Sequence, residues 1–384
     1  MRLLFSLLFF FSVGAWAGPT PEDRLSAVFE SIEGNRLDEA MQRVDGLIKE
    51  HPNFRLAHLV RGDLLLARAR PLETFGNVAK TVPAEKVDGL RNEAFARLRA
   101  MRSRPGEDRL PRYVLQLHAE QKHVLVVDSR RSRLYVFANT QGRPQLIADY
   151  YVTIGKNGIE KTRQGDQKTP LGVYHVTANL PRNKLTDFYG AGAFPINYPN
   201  EWDRRQGRNG YGIWLHGVPR DVYARPPRAS DGCIVLSNPD LESVGRHVQV
   251  GLTPVIIADE VEWTAAAELE AERSSLAAAL EQWRADWASR DTERYLSHYS
   301  KRFASGKQDY SRWAAHKRQV NAAKRWIKVD LSGVAMFRYP RERDFVVVAF
   351  AQDYRSDGLS NVIKKRQYWI KEDGRWKILY EGAA

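Results

Sequence analysis

The spacing of apolar residues changes along this 384-residue chain, and the changes divide it into parts of different structure. Residues 18–104 show helical spacing, whereas short β-rich runs separated by turn residues begin at Tyr113. A helical stretch returns near residue 274, because four large apolar residues between 276 and 287 fall on one helical face. The chain is therefore predicted to be multidomain, with a helical, a mostly-β and an α+β part.

The first seventeen residues predict export. Arg2 precedes an almost unbroken apolar run at 3–13, and the small residues of 15–17 offer a cleavage site. Residues 1–17 are therefore interpreted as a signal peptide and the protein as periplasmic. An uncleaved anchor remains the alternative, so membrane contact is expected only in that case. The formal charge of +13 suits an anionic cell wall or lipid headgroups, and nucleic acid is a poor partner for an exported chain.

The helical domain at 18–104 contains a segment, 35–57, that resembles a single tetratricopeptide-type helix pair. An ordinary helical hairpin is an equally open interpretation. One such unit cannot bury its apolar face alone, so it is expected to pack on a further helix or on the next domain.

The segment 113–258 is predicted to be mostly β. Its expected strands lie at 122–128, 133–138, 149–154, 172–178, 212–216 and 253–258. The stretch from 180 to 210 is rich in glycine, proline, asparagine and aromatic residues, which predicts either an ordered lid or substrate wall, or plain packing.

The segment 274–384 is predicted to place a long helix before an antiparallel sheet. Its expected strands lie near 326–339, 344–355, 361–371 and 375–380, with Asp-Gly hairpin turns between the last three. This order resembles the cone-shaped fold of the nuclear-transport-factor-two and ketosteroid-isomerase superfamily, and a binding or dimerising role is expected. The charged, alanine-rich connector at 260–272 predicts that this domain is separable from the one before it.

Cys233 is the chain's one cysteine, and its surroundings suggest a nucleophile rather than an inert buried thiol. It follows Gly232 in a Ser-Asp-Gly-Cys turn, and His216 ends an apolar run seventeen residues earlier. A thiol nucleophile needs a base and backbone N–H donors for the oxyanion, and a glycine lets the chain turn sharply enough to present those donors.

These motifs together resemble the L,D-transpeptidase catalytic domain family (YkuD-type), whose signature is His-Gly followed by Ser-x-Gly-Cys. The segment 169–174 resembles the family's Thr-Pro-x-Gly-x-Tyr region, and the likeness covers roughly residues 113 to 258. The resemblance implies that Cys233 is the nucleophile and His216 its general base, oriented by the carbonyl of Gly217. It also implies an oxyanion amide from Gly232 and a supporting role for Ser230.

The implied reaction forms a cysteine thioester on tetrapeptide stems of peptidoglycan, with no cofactor and no metal. Transfer from the thioester then forms cross-links or attaches a protein to the wall. This activity would serve wall biogenesis and cell shape. Carbapenems are expected to react with the thiol. Two alternatives stay open: a hydrolase of the same family that trims stems or detaches wall-bound protein, and a non-catalytic wall-binding scaffold.

Two positions depart from the family pattern. The family usually has histidine or arginine where Asp231 stands and arginine where Val235 stands, so a cation near the site is missing. Arg220, Arg225 or Arg228 could replace it. Asp231 is interpreted either as a solvated turn residue or as a group that favours an amine acceptor.

Overall fold

The computed structural model describes most of the chain after the predicted signal peptide at 1–17, which lies outside the described residues. The described residues are 19–78, 82–106, 108–306, 308–342 and 344–383. None of the helices in these ranges has both the length and the apolar character needed to cross a membrane. The chain divides into two units, Met1–Thr81 and Val82–Ala384, which are described separately below.

The first unit contains three helices with short connections. They are α1 (Pro21–Glu33), α2 (Leu37–Glu50) and α3 (Arg55–Ala67). Helix α1 begins at a capping box, in which the side chains of Thr20 and Asp23 each accept a hydrogen bond from the other's backbone amide. Their apolar faces are buried, with Val28, Leu47 and Val60 at most 1% exposed. The helical character of this segment is confirmed, and the tetratricopeptide-like interpretation stays a prediction.

A fourth helix, α4 (Ala84–Arg102), belongs to the second unit. The sequence interpretation placed it with the first three helices in one domain at 18–104, whereas the division into units falls after residue 81. The reason is packing: the buried face of α4 contacts Tyr151 and Pro226, which lie in the β-rich segment that follows.

The β-rich segment forms several small sheets and two short helices. Its strands are β1 (Arg109–Pro111), β2 (Val114–Gln116), β3 (His123–Asp128), β4 (Arg133–Thr140), β5 (Arg143–Tyr151), β6 (Ile154–Gly155), β7 (Gly172–His175), β8 (Leu180–Pro181), β9 (Gly192–Pro195), β10 (Trp214–His216), β11 (Arg228–Ser230), β12 (Ile234–Val235), β13 (Pro254–Ala258) and β14 (Trp263–Ala265). The helices are α5 (Glu201–Arg205) and α6 (Asn238–Gly245).

The largest of these sheets has the order β5-β4-β3-β13-β7, with the apolar strands β3 and β13 inside it. A second sheet has the order β12-β10-β9-β8 and carries the end of the predicted catalytic motif. Leu125, Leu215 and Ile257 pack in one core shared by both sheets. The strands predicted in this segment are present, with ends shifted by a few residues.

The aromatic stretch from 180 to 210 has a buried part and a part that contacts His216, and its role toward a substrate stays a prediction. Phe194, Tyr198 and Trp202 are buried and therefore serve packing. Phe188 is 47% exposed and, with Tyr189, belongs to a short 3₁₀ helix beside the ring of His216. The first part of this stretch thus forms a wall of the candidate site.

The last segment places helices before a long antiparallel meander. Its helices are α7 (Ala266–Ala288), α8 (Thr292–Ser297) and α9 (Tyr310–Ala322), and its strands are β15 (Ala304–Ser305), β16 (Gln308–Asp309), β17 (Ile327–Arg338), β18 (Phe345–Ser356), β19 (Leu359–Glu372) and β20 (Arg375–Ala383). Leu276, Leu280, Trp283 and Trp287 all lie in the buried core between α7 and the sheet. The predicted helix-then-sheet order is confirmed.

The catalytic segment and the last segment share a core, which contradicts the prediction that they are separable. Strand β2 pairs with β17 and forms the outer strand of the C-terminal sheet, whose order is β2-β17-β18-β19-β20. On that sheet's second face, the Trp202 ring lies 4.5 Å from Phe345 and 5.3 Å from Tyr368, centroid to centroid. The charged connector at 260–272 contains strand β14 and the first two turns of helix α7 rather than a free linker.

Candidate active site

A pair of parallel strands relates the positions of Cys233 and His216. In the register of β10 and β12, Leu215 faces Ile234 and His216 faces Val235. Because side chains alternate along a strand, the position just before Ile234 lies on the same face of the sheet as His216, one two-residue step away. The register therefore brings the backbone at Cys233 and His216 to the same end of this sheet, although seventeen residues separate them in the sequence.

The imidazole of His216 is held in one tautomer. The ring is 1% exposed, and its Nδ1 lies 2.7 Å from the carbonyl oxygen of Gly217. A carbonyl can only accept, so Nδ1 donates and Nε2 carries the lone pair that a general base needs. Burial lowers the pKa of His216 to about 4, which keeps the ring neutral and ready to take a proton at physiological pH.

The turn that presents the nucleophile is held by two hydroxyl groups. Ser230 Oγ donates to the carbonyl of Cys233 at 2.6 Å and accepts from the amide of Gly232 at 3.2 Å. Thr169 Oγ1 donates to the carbonyl of Gly232 at 2.9 Å and accepts from the amide of Gly155 at 2.9 Å. Ser230 therefore has the geometry of a support for the turn, and the amide of Gly232 already has a partner in this state.

Only glycine fits at position 232. Its φ of +124° is a conformation that side chains disfavour, and a Cβ there would lie 2.7 Å from the carbonyl oxygen of Lys168. Because the turn packs closely on this carbonyl, Cys233 lies directly before strand β12.

The thiol of Cys233 is protonated in the resting site. It is half-buried and donates a hydrogen bond to the carbonyl of Gly212 at 3.3 Å. Burial raises its pKa to about 11, outweighing the opposing charges of Arg225 and Lys161. Between about pH 4 and pH 11 the thiol of Cys233 and the imidazole of His216 are therefore both neutral.

Alkylation of Cys233 by iodoacetamide is expected to be slow at pH 7 and to accelerate up to about pH 11. Since burial raises the pKa from an ordinary 9.0 to about 11, the thiolate fraction at neutral pH falls about 100-fold. The measurement is the pH profile of the alkylation rate by intact-protein mass spectrometry, with N-acetylcysteine as the reference thiol. A plateau reached below pH 8 would show instead that the resting site holds a thiolate.

The carboxylate of Asp231 accepts hydrogen bonds from two neighbouring side chains. Its Oδ1 accepts from Lys156 Nζ and from Gln167 Nε2, both at 3.0 Å, and the side chain is exposed. These contacts favour the interpretation of Asp231 as a turn residue, because a carboxylate already paired with an ammonium group has little attraction left for a second one.

The three arginines that could replace the missing family cation differ in their burial and contacts. Arg220 is exposed and pairs with Asp187 at 3.4 Å, and Arg228 is exposed on strand β11. Arg225 is half-buried, with its guanidinium carbon 4.8 Å above the centre of the Phe188 ring. The charge of Arg225 also acts on both predicted site residues, since it lowers the pKa of His216 and of Cys233.

Asn238 organises the loops around His216, and the sequence interpretation missed it. Its side chain accepts from the amides of Ala191 at 2.8 Å and Val218 at 3.2 Å, and donates to the carbonyl of Val218 at 2.9 Å. It thereby ties the aromatic wall to the residues that follow His216. The available signal was an asparagine between a buried strand and a proline, a position where its side chain often bonds to backbone.

Helix α4 braces the segment that carries Arg225. The carbonyl of Arg225 accepts from Tyr151 Oη and from Thr153 Oγ1, both at 2.9 Å. The guanidinium of Arg97 lies 4.0 Å from the centre of the Tyr151 ring and forms a 2.9 Å ion pair with Glu93, both side chains being 2% exposed. The buried ion pair of α4 thus packs on Tyr151, which in turn is hydrogen-bonded to the segment that contains Arg225.

Replacing Arg97 by alanine is expected to lower the free energy of unfolding by about 3–5 kcal/mol, because the Glu93 carboxylate loses a buried countercharge. The measurement is chemical denaturation followed by tryptophan fluorescence. The matched control is the double variant Glu93→Leu/Arg97→Met, which removes both charges and should recover most of the loss. Equal destabilisation of the single and double variants would mean that packing, not charge, is what the pair supplies.

Two histidines lie in contact outside this site. His247 Nδ1 is 3.2 Å from His123 Nε2. Two imidazoles do not complete the ligand set of a structural zinc, which takes four. Within the described ranges no group of three or more histidine, cysteine, aspartate or glutamate side chains is placed to hold a metal.

Comparison with known proteins gives the family. The L,D-transpeptidase catalytic domain matches residues 122–257, and the Cds6 C-terminal NTF2-like domain matches residues 275–382. The structure of Bd1075 from Bdellovibrio bacteriovorus is 32% identical, with a TM-score of 0.63, over 72% of this chain and 98% of that one. The chain belongs to the L,D-transpeptidase catalytic domain family. Both resemblances stated from the sequence are therefore confirmed.

Two further relatives extend this comparison. Pgp2 from Campylobacter jejuni, described as a helical cell shape determining protein, is 27% identical with a TM-score of 0.62, over 71% of this chain and 95% of that one. The putative L,D-transpeptidase YafK from Escherichia coli K12 is 28% identical over 138 residues, which are 35% of this chain. The chain spans about half the length of the YafK protein it matches, since the aligned region covers 50% of it.

Proposed function

We propose that this protein acts on peptidoglycan by the chemistry of the L,D-transpeptidase family, with a cysteine thioester on tetrapeptide stems. The observation that carries the proposal is the neutral pair of Cys233 and His216. Two features support it: the register of β10 and β12 brings Cys233 and His216 to the same end of the sheet, and the bond from Nδ1 to the Gly217 carbonyl leaves the Nε2 lone pair of His216 able to accept a proton.

In the first half-reaction the Cys233 sulfur attacks the carbonyl of the diamino acid in the stem, and His216 Nε2 takes the thiol proton. The tetrahedral intermediate then collapses. The carbon–nitrogen bond to the terminal D-Ala breaks, and His216 returns its proton to the departing amine. The products are free D-Ala and a thioester on Cys233.

The oxyanion of the intermediate needs backbone donors. We assign the amide of Cys233 to this role together with the amide of Gly232. In the resting state the Gly232 amide donates a hydrogen bond to Ser230 Oγ. It can donate to the oxyanion only after this hydrogen bond is broken. The carbonyl of Gly232, fixed by Thr169, keeps the turn in place during this exchange.

In the second half-reaction an acceptor attacks the thioester and the thiol is regenerated. An amine of a second stem gives a cross-link, and an amine of a protein gives wall attachment. Hydrolysis is the second candidate: water attacks the thioester, and a tripeptide stem is released.

The setting proposed for this activity is the periplasm. The basic charge of the chain suits the anionic wall, and the apolar segment at 3–13 supports export. By analogy with Pgp2, described as a determinant of helical cell shape, the reaction is proposed to adjust stem peptides and so influence cell shape.

The test is mass analysis of muropeptides before and after incubation with the purified protein. Loss of tetrapeptide with release of D-Ala supports the proposed acylation, and unchanged tetrapeptide overturns it. Cross-linked dimers identify an amine acceptor, whereas tripeptides alone identify water. A carbapenem adduct confined to Cys233 supports the same nucleophile without depending on the acceptor.

A further inference from the structure

The hydroxyl group of Thr169 is buried between a backbone amide and a backbone carbonyl. The side chain is 0% exposed. Its Oγ1 accepts a hydrogen bond from the amide of Gly155 and donates one to the carbonyl of Gly232, both at 2.9 Å. Because an amide N–H can only donate and a carbonyl can only accept, the direction of both hydrogen bonds is fixed. The hydroxyl proton therefore points at the carbonyl of Gly232.

The backbone around Thr169 holds this hydroxyl in place. The amide of Thr169 donates to the carbonyl of Gly158 at 2.9 Å, and the following Pro170 favours an extended conformation at Thr169. Strand β6 packs directly on this residue, since a Cβ at Gly155 would lie 2.9 Å from the Thr169 nitrogen. Branching at Cβ further restricts the side-chain rotamer. The hydroxyl is thus held in its position before any substrate binds.

The carbonyl of Gly232 belongs to the same peptide group as the amide of Cys233. This peptide group is planar and trans, so its carbonyl and its N–H point in opposite directions. Because the carbonyl is directed at the buried Thr169, the N–H of Cys233 is directed away from that buried side. Within the described ranges no protein oxygen accepts a hydrogen bond from this N–H. It is therefore available to an oxygen of the substrate.

We propose that Thr169 is a positioning residue for the oxyanion donor of this site, an inference that rests on the proposed function. Its hydroxyl fixes the plane of the peptide group between Gly232 and Cys233. It also polarises that group, because a hydrogen bond accepted by the carbonyl strengthens the N–H as a donor. A chain of hydrogen bonds thus runs from the Gly155 amide through Thr169 to the Cys233 N–H. Its last member is the substrate oxygen that becomes negative when the sulfur bonds to the carbonyl carbon.

The two hydroxyl groups at this turn have different roles. Ser230 Oγ accepts from the Gly232 amide at 3.2 Å and donates to the Cys233 carbonyl at 2.6 Å, so it contacts the peptide groups on either side. Thr169 Oγ1 contacts the peptide group between these two residues. Since the Gly232 amide is engaged in the resting state, the Cys233 amide is the donor that is ready when a substrate binds. Loss of the Thr169 hydroxyl therefore affects the ready donor first.

An oxyanion forms only when a carbonyl carbon is attacked. Acylation of Cys233 by a stem peptide or a carbapenem passes through such a state, whereas alkylation by iodoacetamide displaces iodide from a saturated carbon and forms no oxyanion. Removing a direct oxyanion donor lowers kcat by about 10²–10³-fold. Because Thr169 acts on the donor through a peptide group, its loss is expected to slow acylation by about 10- to 100-fold and to leave alkylation unchanged.

The first arm of the test compares these two reactions of the thiol and requires no turnover. The rates of labelling by a carbapenem and by iodoacetamide are measured at the same pH by intact-protein mass spectrometry. Thr169→Val replaces the hydroxyl by a methyl group of similar size and is expected to lower the ratio of carbapenem to iodoacetamide rates by about 10- to 100-fold. Thr169→Ser keeps the hydroxyl and retains most of the ratio. If Thr169→Val does not fold, Thr169→Ala removes the hydroxyl without placing a methyl group against the two backbone partners.

The matched control is Thr253→Val, which removes another buried hydroxyl that bonds to backbone. Thr253 is also 0% exposed, and its Oγ1 accepts from the amide of Gln249 at 2.7 Å. This variant is expected to leave both labelling rates unchanged. The second arm measures D-Ala release from tetrapeptide stems, in which Thr169→Val should lower kcat and leave KM unchanged, because the donor acts only in the transition state. A general loss of structure would lower both labelling rates together.

The outcomes separate this inference from the proposed function. Slow carbapenem labelling with normal alkylation in Thr169→Val supports the role of Thr169. The same result with no turnover of tetrapeptides by the wild type supports that role and overturns the proposed function. Equal loss of both labelling rates in folded Thr169→Val reduces the hydroxyl to a support of the turn and overturns the inference. Wild-type turnover and labelling in Thr169→Val also overturn it and leave the proposed function standing.

Discussion

Replacing Cys233 by alanine is expected to reduce D-Ala release from tetrapeptide stems by at least about 10⁴-fold, because the proposed thioester forms on this thiol. The fold should survive, since a thiol and a methyl group differ little in volume. The measurement combines D-Ala release with the unfolding midpoint, so that loss of chemistry is separated from loss of structure.

Cys233→Ser is the matched variant, because it keeps the shape of the turn and a donor toward Gly212. It is also expected to be almost inactive, as a buried hydroxyl beside a neutral imidazole gives up its proton far less readily than a thiol. Wild-type rates in the alanine variant would remove Cys233 from the mechanism. An inactive alanine variant whose unfolding midpoint has collapsed would instead point to a structural role for the residue.

A chain that ends at Asp259 is expected to lose its cooperative fold, although every motif of the proposed chemistry lies before that residue. The truncation removes β17 to β20 and uncovers the side chains that pack on them, including Tyr113, Val114, Phe137 and Trp202, all at most 4% exposed. At about 1.5–3 kcal/mol for each buried side chain, the exposure costs on the order of 10 kcal/mol, comparable with the whole stability of a domain.

The measurement is near-ultraviolet circular dichroism of the truncated chain, together with its labelling by a carbapenem. The matched control is full-length Trp202→Ala, which opens the same interface at one point and should cost about 3–5 kcal/mol while leaving a folded, labelled protein. A truncated chain that unfolds cooperatively and labels at the wild-type rate would show that the two segments are independent after all.

Much of the architecture could be predicted from the sequence. The four strand-like runs after residue 326 became β17 to β20, because alternating apolar residues and Asp-Gly turns specify a hairpin locally. The face of α7 that carries Trp283 and Trp287 is buried as its spacing indicated. The separability of the last domain could not be predicted correctly, because strand β2 pairs with β17 across more than two hundred residues.

The candidate site also has a part that the sequence predicted and a part that it could not predict. The sequence named Cys233 and His216, because a glycine turn before a lone cysteine and a histidine closing an apolar strand form a local and specific pattern. It offered three arginines as a replacement cation and could not choose among them. Burial and the contact with Phe188 distinguish Arg225, and both depend on how distant segments fold against each other.

The sequence by itself determined the order of the elements and the family, and it predicted the nucleophile and its base, because these follow from short motifs and from periodicity within single segments. The tertiary structure alone decided that the resting thiol and imidazole are neutral, that helix α4 stands behind the loop of Arg225, and that two domains share one core. These properties arise from desolvation and from packing between residues far apart in the chain, and neither can be computed from the order of side chains within one segment.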